Sequence, residues 1–176
     1  MQATKSSLDK HRPCIERVCR NGYPDAFIRD QKPMNDKGLR IALSESNLSV
    51  RDWCRKLNGM VFFWPTKERV FTMSGARAYR ETTHDVLVFD TRRLVEDYRC
   101  KILLSPINSG ATKPIPHPRG ENTFSTFNNF PWHKRRNRGS RIVAELCIKK
   151  RVRNPSRYIH EVLEVRDNQV LNQIFP

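Results

Sequence analysis

The residue whose type and setting best suit chemistry is Glu145, held in the run Arg141 to Val152, RIVAELCIKKRV. A lone carboxylate between apolar neighbours on a strand either points at water or acts as a base or as an anion beside developing positive charge. The plainer alternative is a solvent-facing side chain beside Lys149 or Lys150. Just upstream, Trp132 is followed by Lys134, Arg135, Arg136, Arg138 and Arg141 in the segment WHKRRNRGSR. Aromatics that stack on bases and cations that meet phosphates are the elements of a single-stranded nucleic-acid contact. The alternative there is a solvated charge run at a loop tip.

The balance of charge points the same way. The chain has 33 Lys and Arg against 18 Asp and Glu, a formal charge of +15. Such an excess on a small domain attracts polyanions, and DNA or RNA is the expected partner. No apolar run approaches the roughly 18 residues that a helical membrane span needs, and no secretory signal is legible, so a cytoplasmic protein without membrane contact is expected. The odd set Cys14, Cys19, Cys54, Cys100 and Cys147 makes no disulfide framework and offers no second cysteine pair for zinc, so no metal is expected.

These groups need elements to hold them. Residues 1–26 read as an irregular lobe with a short helix around Cys14 to Cys19. Residues 27–166 read as the core. Asn35 or Asp36 caps one short helix, and Ser49 caps a second in which Val50, Trp53, Cys54 and Leu57 recur at helical spacing. Asn58-Gly59 is expected to stop it in a left-handed conformation. Met60 to Trp64 is an apolar aromatic run, expected as a buried strand. A helix follows from Thr66, weakened at Gly75, and then a strand at His84 to Phe89, a helix capped at Asp90 or Thr91, and a strand at Lys101 to Leu104. Residues 105–140 are broken by prolines and glycines yet carry Phe124, Phe127, Phe130 and Trp132, the composition of a functional loop. The strand around Glu145 and a second at His160 to Val165, after a turn at Asn154-Pro155, close the core; Glu161 and Glu164 are expected on the solvent face. Residues 167–176 are expected as a short helix or loose tail. The pattern predicts one α+β domain, a short mixed or antiparallel sheet with flanking helices.

The motifs VFFWPTKERV, VLVFDTRRLV and VAELCIKKRV, with the proline- and glycine-rich loop between the last two, resemble the DarT-like ADP-ribosyltransferases that modify DNA bases using NAD. The phrases LNGMVFFWPTKERV, LSPINSGAT, PRGENTF and AEL look more closely like an uncharacterised bacterial family, a domain of unknown function distantly similar to that transferase. The resemblance covers Arg29 to Val165. It implies an ADP-ribosyltransferase-like fold, with Glu145 as the catalytic glutamate that orients the nicotinamide ribose. It also implies NAD as cofactor, with Phe63 or Trp64 stacking on nicotinamide and Arg29 holding the pyrophosphate. Asn108, Ser109, Gly110, Arg119, Gly120 and Thr123 in the long loop would recognise the target. The chain departs from the transferase pattern at its start. The family's first strand carries a histidine followed two positions later by threonine or serine, whereas His11 is followed by Pro13 and His84 falls late in the order.

Other chemistries lack their signals. There is no GxxxxGK[ST] for nucleotide hydrolysis and no GxGxxG after a strand for dinucleotide oxidoreduction. A metal-dependent nuclease built on Asp85, Asp90, Glu145 and Lys149 would lack the required E-x-K spacing. The expectation is a nucleic-acid-directed ADP-ribosyltransferase, with a non-catalytic nucleic-acid-binding module as the alternative.

Overall fold

In the computed structural model, which describes residues 9–19, 21–28 and 30–175, the chain forms an α+β domain built on three small antiparallel sheets rather than one. A hairpin of β1 (Glu16–Val18) and β2 (Ala26–Ile28) comes first, where a short helix was expected at Cys14 to Cys19. Two helices follow. α1 (Asp36–Ala42) is capped by Asn35, whose side chain accepts from the Gly38 N–H at 2.8 Å. α2 (Val50–Asn58) starts with the reciprocal Ser49 and Asp52 box that satisfies its first free N–H groups. Gly59 ends it at φ −87°, outside the left-handed region, because its N–H is taken by the Arg55 carbonyl at 3.0 Å and the chain runs straight into a strand.

That strand, β3 (Met60–Phe63), lies at the edge of the sheet β3-β6-β5, with β5 at Ile102–Ser105 and β6 at Glu145–Lys149 in the centre. The expected buried strand is half-exposed, and Phe62 keeps 38% of its surface. β5 is buried at every residue because both faces of this sheet are covered. Alternation sends Leu103 and Cys147 into a cluster with Trp53, Leu39 and Phe124, under α1 and α2. The intervening Ile102, Leu104 and Ile148 enter a second cluster with Leu94 and Tyr98 of α4 (Thr91–Tyr98) and with Phe130.

The third sheet, β4-β7-β8, pairs His84–Phe89 with Ile159–Arg166 and then Gln169–Phe175. The C-terminal residues are therefore a strand, not a helix or loose tail. Asp167 and Asn168 both take positive φ, 42° and 66°, as a two-residue hairpin turn requires. That turn docks on the end of α3 (Lys67–Ser74), where the Asn168 N–H donates to Ser74 Oγ at 3.3 Å. A Cβ on Gly75 would lie 2.1 Å from the Asn168 side chain, so the glycine that shortens α3 is what lets the turn approach.

The long loop is irregular but packed. It carries the buried Phe124 and Phe130, a single bridge from Ser125 to Leu104, and the short helix α5 (Trp132–Arg135). Among the described residues no helix is long and apolar enough to cross a membrane.

Candidate functional site

Glu145 opens β6, opposite Ser105 at the end of β5. It is 2% exposed, so it is neither solvent-facing nor beside Lys149 and Lys150, which are exposed at the other end of the strand. The turn after β5 folds back over it. Ser105 Oγ donates to the Ile107 carbonyl at 2.7 Å, Asn108 Oδ1 accepts from the Gly110 N–H at 3.1 Å, and the Ser109 N–H between them donates to Glu145 Oε2 at 3.1 Å. Burial pushes the Glu145 carboxyl above its ordinary value. The Ser109 hydrogen bonds and the nearby charges of Arg119 and Arg69 oppose that rise without cancelling it.

The two arginines differ in how their donors are used. Arg119 is buried at 6% exposure, and its guanidinium donates to three backbone carbonyls of the loop, Ser109 at 2.7 Å, Ala111 at 2.8 Å and His117 at 3.1 Å. Its donors hold the loop in shape. Arg69, on α3, is half-buried. One of its Nη atoms reaches the Arg141 carbonyl at 3.5 Å, and its Nε is buried with no hydrogen-bond partner among the described residues. An unpaired buried N–H of a cation is costly, and a ligand oxygen would relieve it. Arg69 was not singled out in the sequence. The only signal was its place five residues beyond Trp64, in the first turns of the helix that leaves the aromatic strand.

The strand register separates the two aromatic candidates. Phe63 pairs with Leu146, and both turn to the face opposite Glu145; Phe63 meets Phe89 edge to face at 5.2 Å. Trp64, the next residue, lies just past the end of β3 and is half-buried. Arg29 lies outside the described residues. His11 sits with its Nδ1 3.4 Å from Asp36, at the N-terminal end of α1.

In the basic segment, Trp132 donates from Nε1 to the Phe127 carbonyl at 2.9 Å and packs against Phe130 with ring centroids 4.7 Å apart. Arg135 is also committed, to the carbonyls of Ile142 at 2.8 Å and Pro106 at 2.9 Å. Lys134, Arg136, Arg138 and Arg141 are exposed. Burial lowers the Arg135 pKa first, and the like charges of Arg138 and Arg69 lower it further; burial and Arg141 act in the same direction on Arg69. A field of mutually repelling cations thus adjoins the buried carboxylate. A hollow of about 430 Å³ between Arg93, Glu96, Asp97, Arg157 and Tyr158 contains none of these residues. Among the described residues no three His, Cys, Asp or Glu side chains gather to hold a metal.

The chain belongs to a family of unknown function (DUF7002), which matches residues 1–159. This bears out the likeness to an uncharacterised domain family seen in the LSPINSGAT, PRGENTF and AEL phrases. No curated protein and no solved structure matches the chain.

Proposed function

We propose that this domain transfers ADP-ribose from NAD to nucleic acid, on an ADP-ribosyltransferase-like fold. The observation that carries the reading is the pairing of a buried carboxylate, Glu145, with the partnerless Nε of Arg69 beside it. Bound NAD supplies an ADP-ribosyl group whose ribose carbon becomes electron-poor as nicotinamide departs. Arg69 fits the pyrophosphate, since its open N–H needs an anionic acceptor. Glu145 fits the sugar side, where its negative charge stabilises developing positive charge. The Ser109 N–H fixes the carboxylate, and Phe63 turns to the opposite face, which leaves Trp64 as the aromatic to stack on nicotinamide. The exposed Lys134, Arg136, Arg138 and Arg141 fit the phosphates of the acceptor strand. Because burial raises the Glu145 pKa, transfer should increase with pH as that carboxyl ionises.

Incubation of wild type and Glu145→Gln with labelled NAD and single-stranded DNA or RNA tests the reading. Wild type labels the nucleic acid and the variant does not. Binding without labelling by wild type would instead leave the second reading, a non-catalytic nucleic-acid-binding module, which the four exposed cations favour on their own. Replacing Lys134, Arg136 and Arg138 together by alanine should flatten the dependence of log affinity on log salt by up to about 2 for a single strand, at ~0.7 per phosphate contact.

A further inference from the structure

A second hollow, of about 280 Å³, lies between the β1–β2 hairpin and the residues after α3, lined by Ile15, Phe27, Asp30, Gln31 and Tyr79. Its rim is apolar and open: Ile15 is 61% and Phe27 67% exposed. Asp30 brings no free charge, because its carboxylate accepts from the Arg12 N–H and an Arg12 Nη, both at 2.6 Å. Tyr79 is fixed in place by the Lys32 N–H, which donates to its hydroxyl at 2.9 Å. Gln31 is different. It lines the hollow, and among the described residues its side-chain amide makes no hydrogen bond, which leaves a donor and an acceptor open to a ligand.

The hollow also adjoins the carboxylate's anchor. A Cβ on Gly110 would lie 3.0 Å from the Gln31 amide carbon, so the glycine gives Gln31 room for this close approach, and the neighbouring Ser109 holds Glu145. The volume falls just below the ~300–1,000 Å³ of sites that enclose a whole small molecule, which suits one ring system and not a dinucleotide. A stacking face with a paired amide donor and acceptor is the chemistry that recognises a planar base by its edge.

We infer that this hollow seats a single nucleobase presented by the nucleic-acid target, with Phe27 as the stacking platform and the Gln31 amide reading the base edge. The inference deepens the nucleic-acid-directed reading above and rests on it. It is tested by fluorescence anisotropy of labelled single-stranded homopolymers of each base over a range of salt, with wild type, Phe27→Ala, Phe27→Trp and Gln31→Leu, and by calorimetric titration of the same proteins with AMP and NAD. Loss of one stacking platform should weaken oligonucleotide binding by about 10-fold. The salt slope should stay unchanged, since no phosphate contact is removed, and Phe27→Trp should restore the affinity. Gln31→Leu should narrow the differences among the four homopolymers. Thermal melting monitors the fold, which truncating so exposed a side chain should not disturb. Wild-type affinity in Phe27→Ala overturns the inference, as does a loss seen with AMP or NAD but not with oligonucleotides, which would give the hollow to the cofactor. Failure of ADP-ribosyl transfer with a Phe27-dependent affinity intact would overturn the enzymatic reading alone, whereas absence of oligonucleotide binding at every salt overturns both.

Discussion

Arg119 stood in the sequence as a candidate nucleic-acid contact, and its environment assigns it a different job that a conservative substitution exposes. In Arg119→Lys the positive charge stays, but the fork of donors that serves Ser109, Ala111 and His117 is lost. An ammonium on a shorter stem reaches one of those carbonyls at most, leaving two without their donor. Hydrogen bonds to a charged group contribute about 1.5–3 kcal/mol each, so losing two costs about 3–6 kcal/mol. For a chain of this size that lowers Tm by roughly 6–24 °C, at ~2–4 °C per kcal/mol. Urea unfolding should show a lower midpoint at unchanged slope, while oligonucleotide affinity under folding conditions and its salt dependence stay at the wild-type values. The opposite pattern, wild-type stability with weakened binding, would refute the reasoning and return Arg119 to the nucleic-acid surface.

Two further outcomes follow from the same core. A carboxyl whose pKa is raised in the fold favours the protonated form there. Its contribution is complete below the ordinary glutamate value near 4.5 and is lost as pH rises through the raised one. Wild type should therefore lose stability relative to Glu145→Gln as pH rises above the ordinary glutamate value, measured by paired denaturant titrations; a relative gain on that rise would mean that Arg69 and Arg119 outweigh burial. Thiol labelling should separate the cysteines, since Cys54 and Cys147 are buried and burial pushes Cys54 up to about 11 and Cys147 higher still. At pH 8 in the folded protein the exposed Cys14 and Cys100 react, and Cys54 and Cys147 react only on unfolding.

The parts of the molecule that periodicity governs were legible in the chain, and the parts governed by backbone satisfaction were not. The strand His84–Phe89 and the caps Asn35, Ser49 and Asp90 read directly, because alternation and capping are local. The last strand was missed because QVLNQIF is exposed along its whole length and carries no clean alternation, although the Asp167-Asn168 turn ahead of it was a usable signal. Glu145 was found because a single charge in an apolar strand stands out at the level of residue type. The loop misled for a physical reason. Residues 105–140 have almost no ladder to absorb their backbone carbonyls, and carbonyls withdrawn from water must find donors elsewhere. Arginine, with five N–H groups in one plane, is the side chain that satisfies several at once. Arg119 and Arg135 are spent this way, and Trp132 gives its indole N–H to Phe127, so the loop's cations divide by what their neighbours lack rather than by their spacing. Lys134, Arg136 and Arg138 lie beyond the packed carbonyls and remain exposed, whereas Arg69, which no charge run advertises, is left beside Glu145 with a buried donor still open.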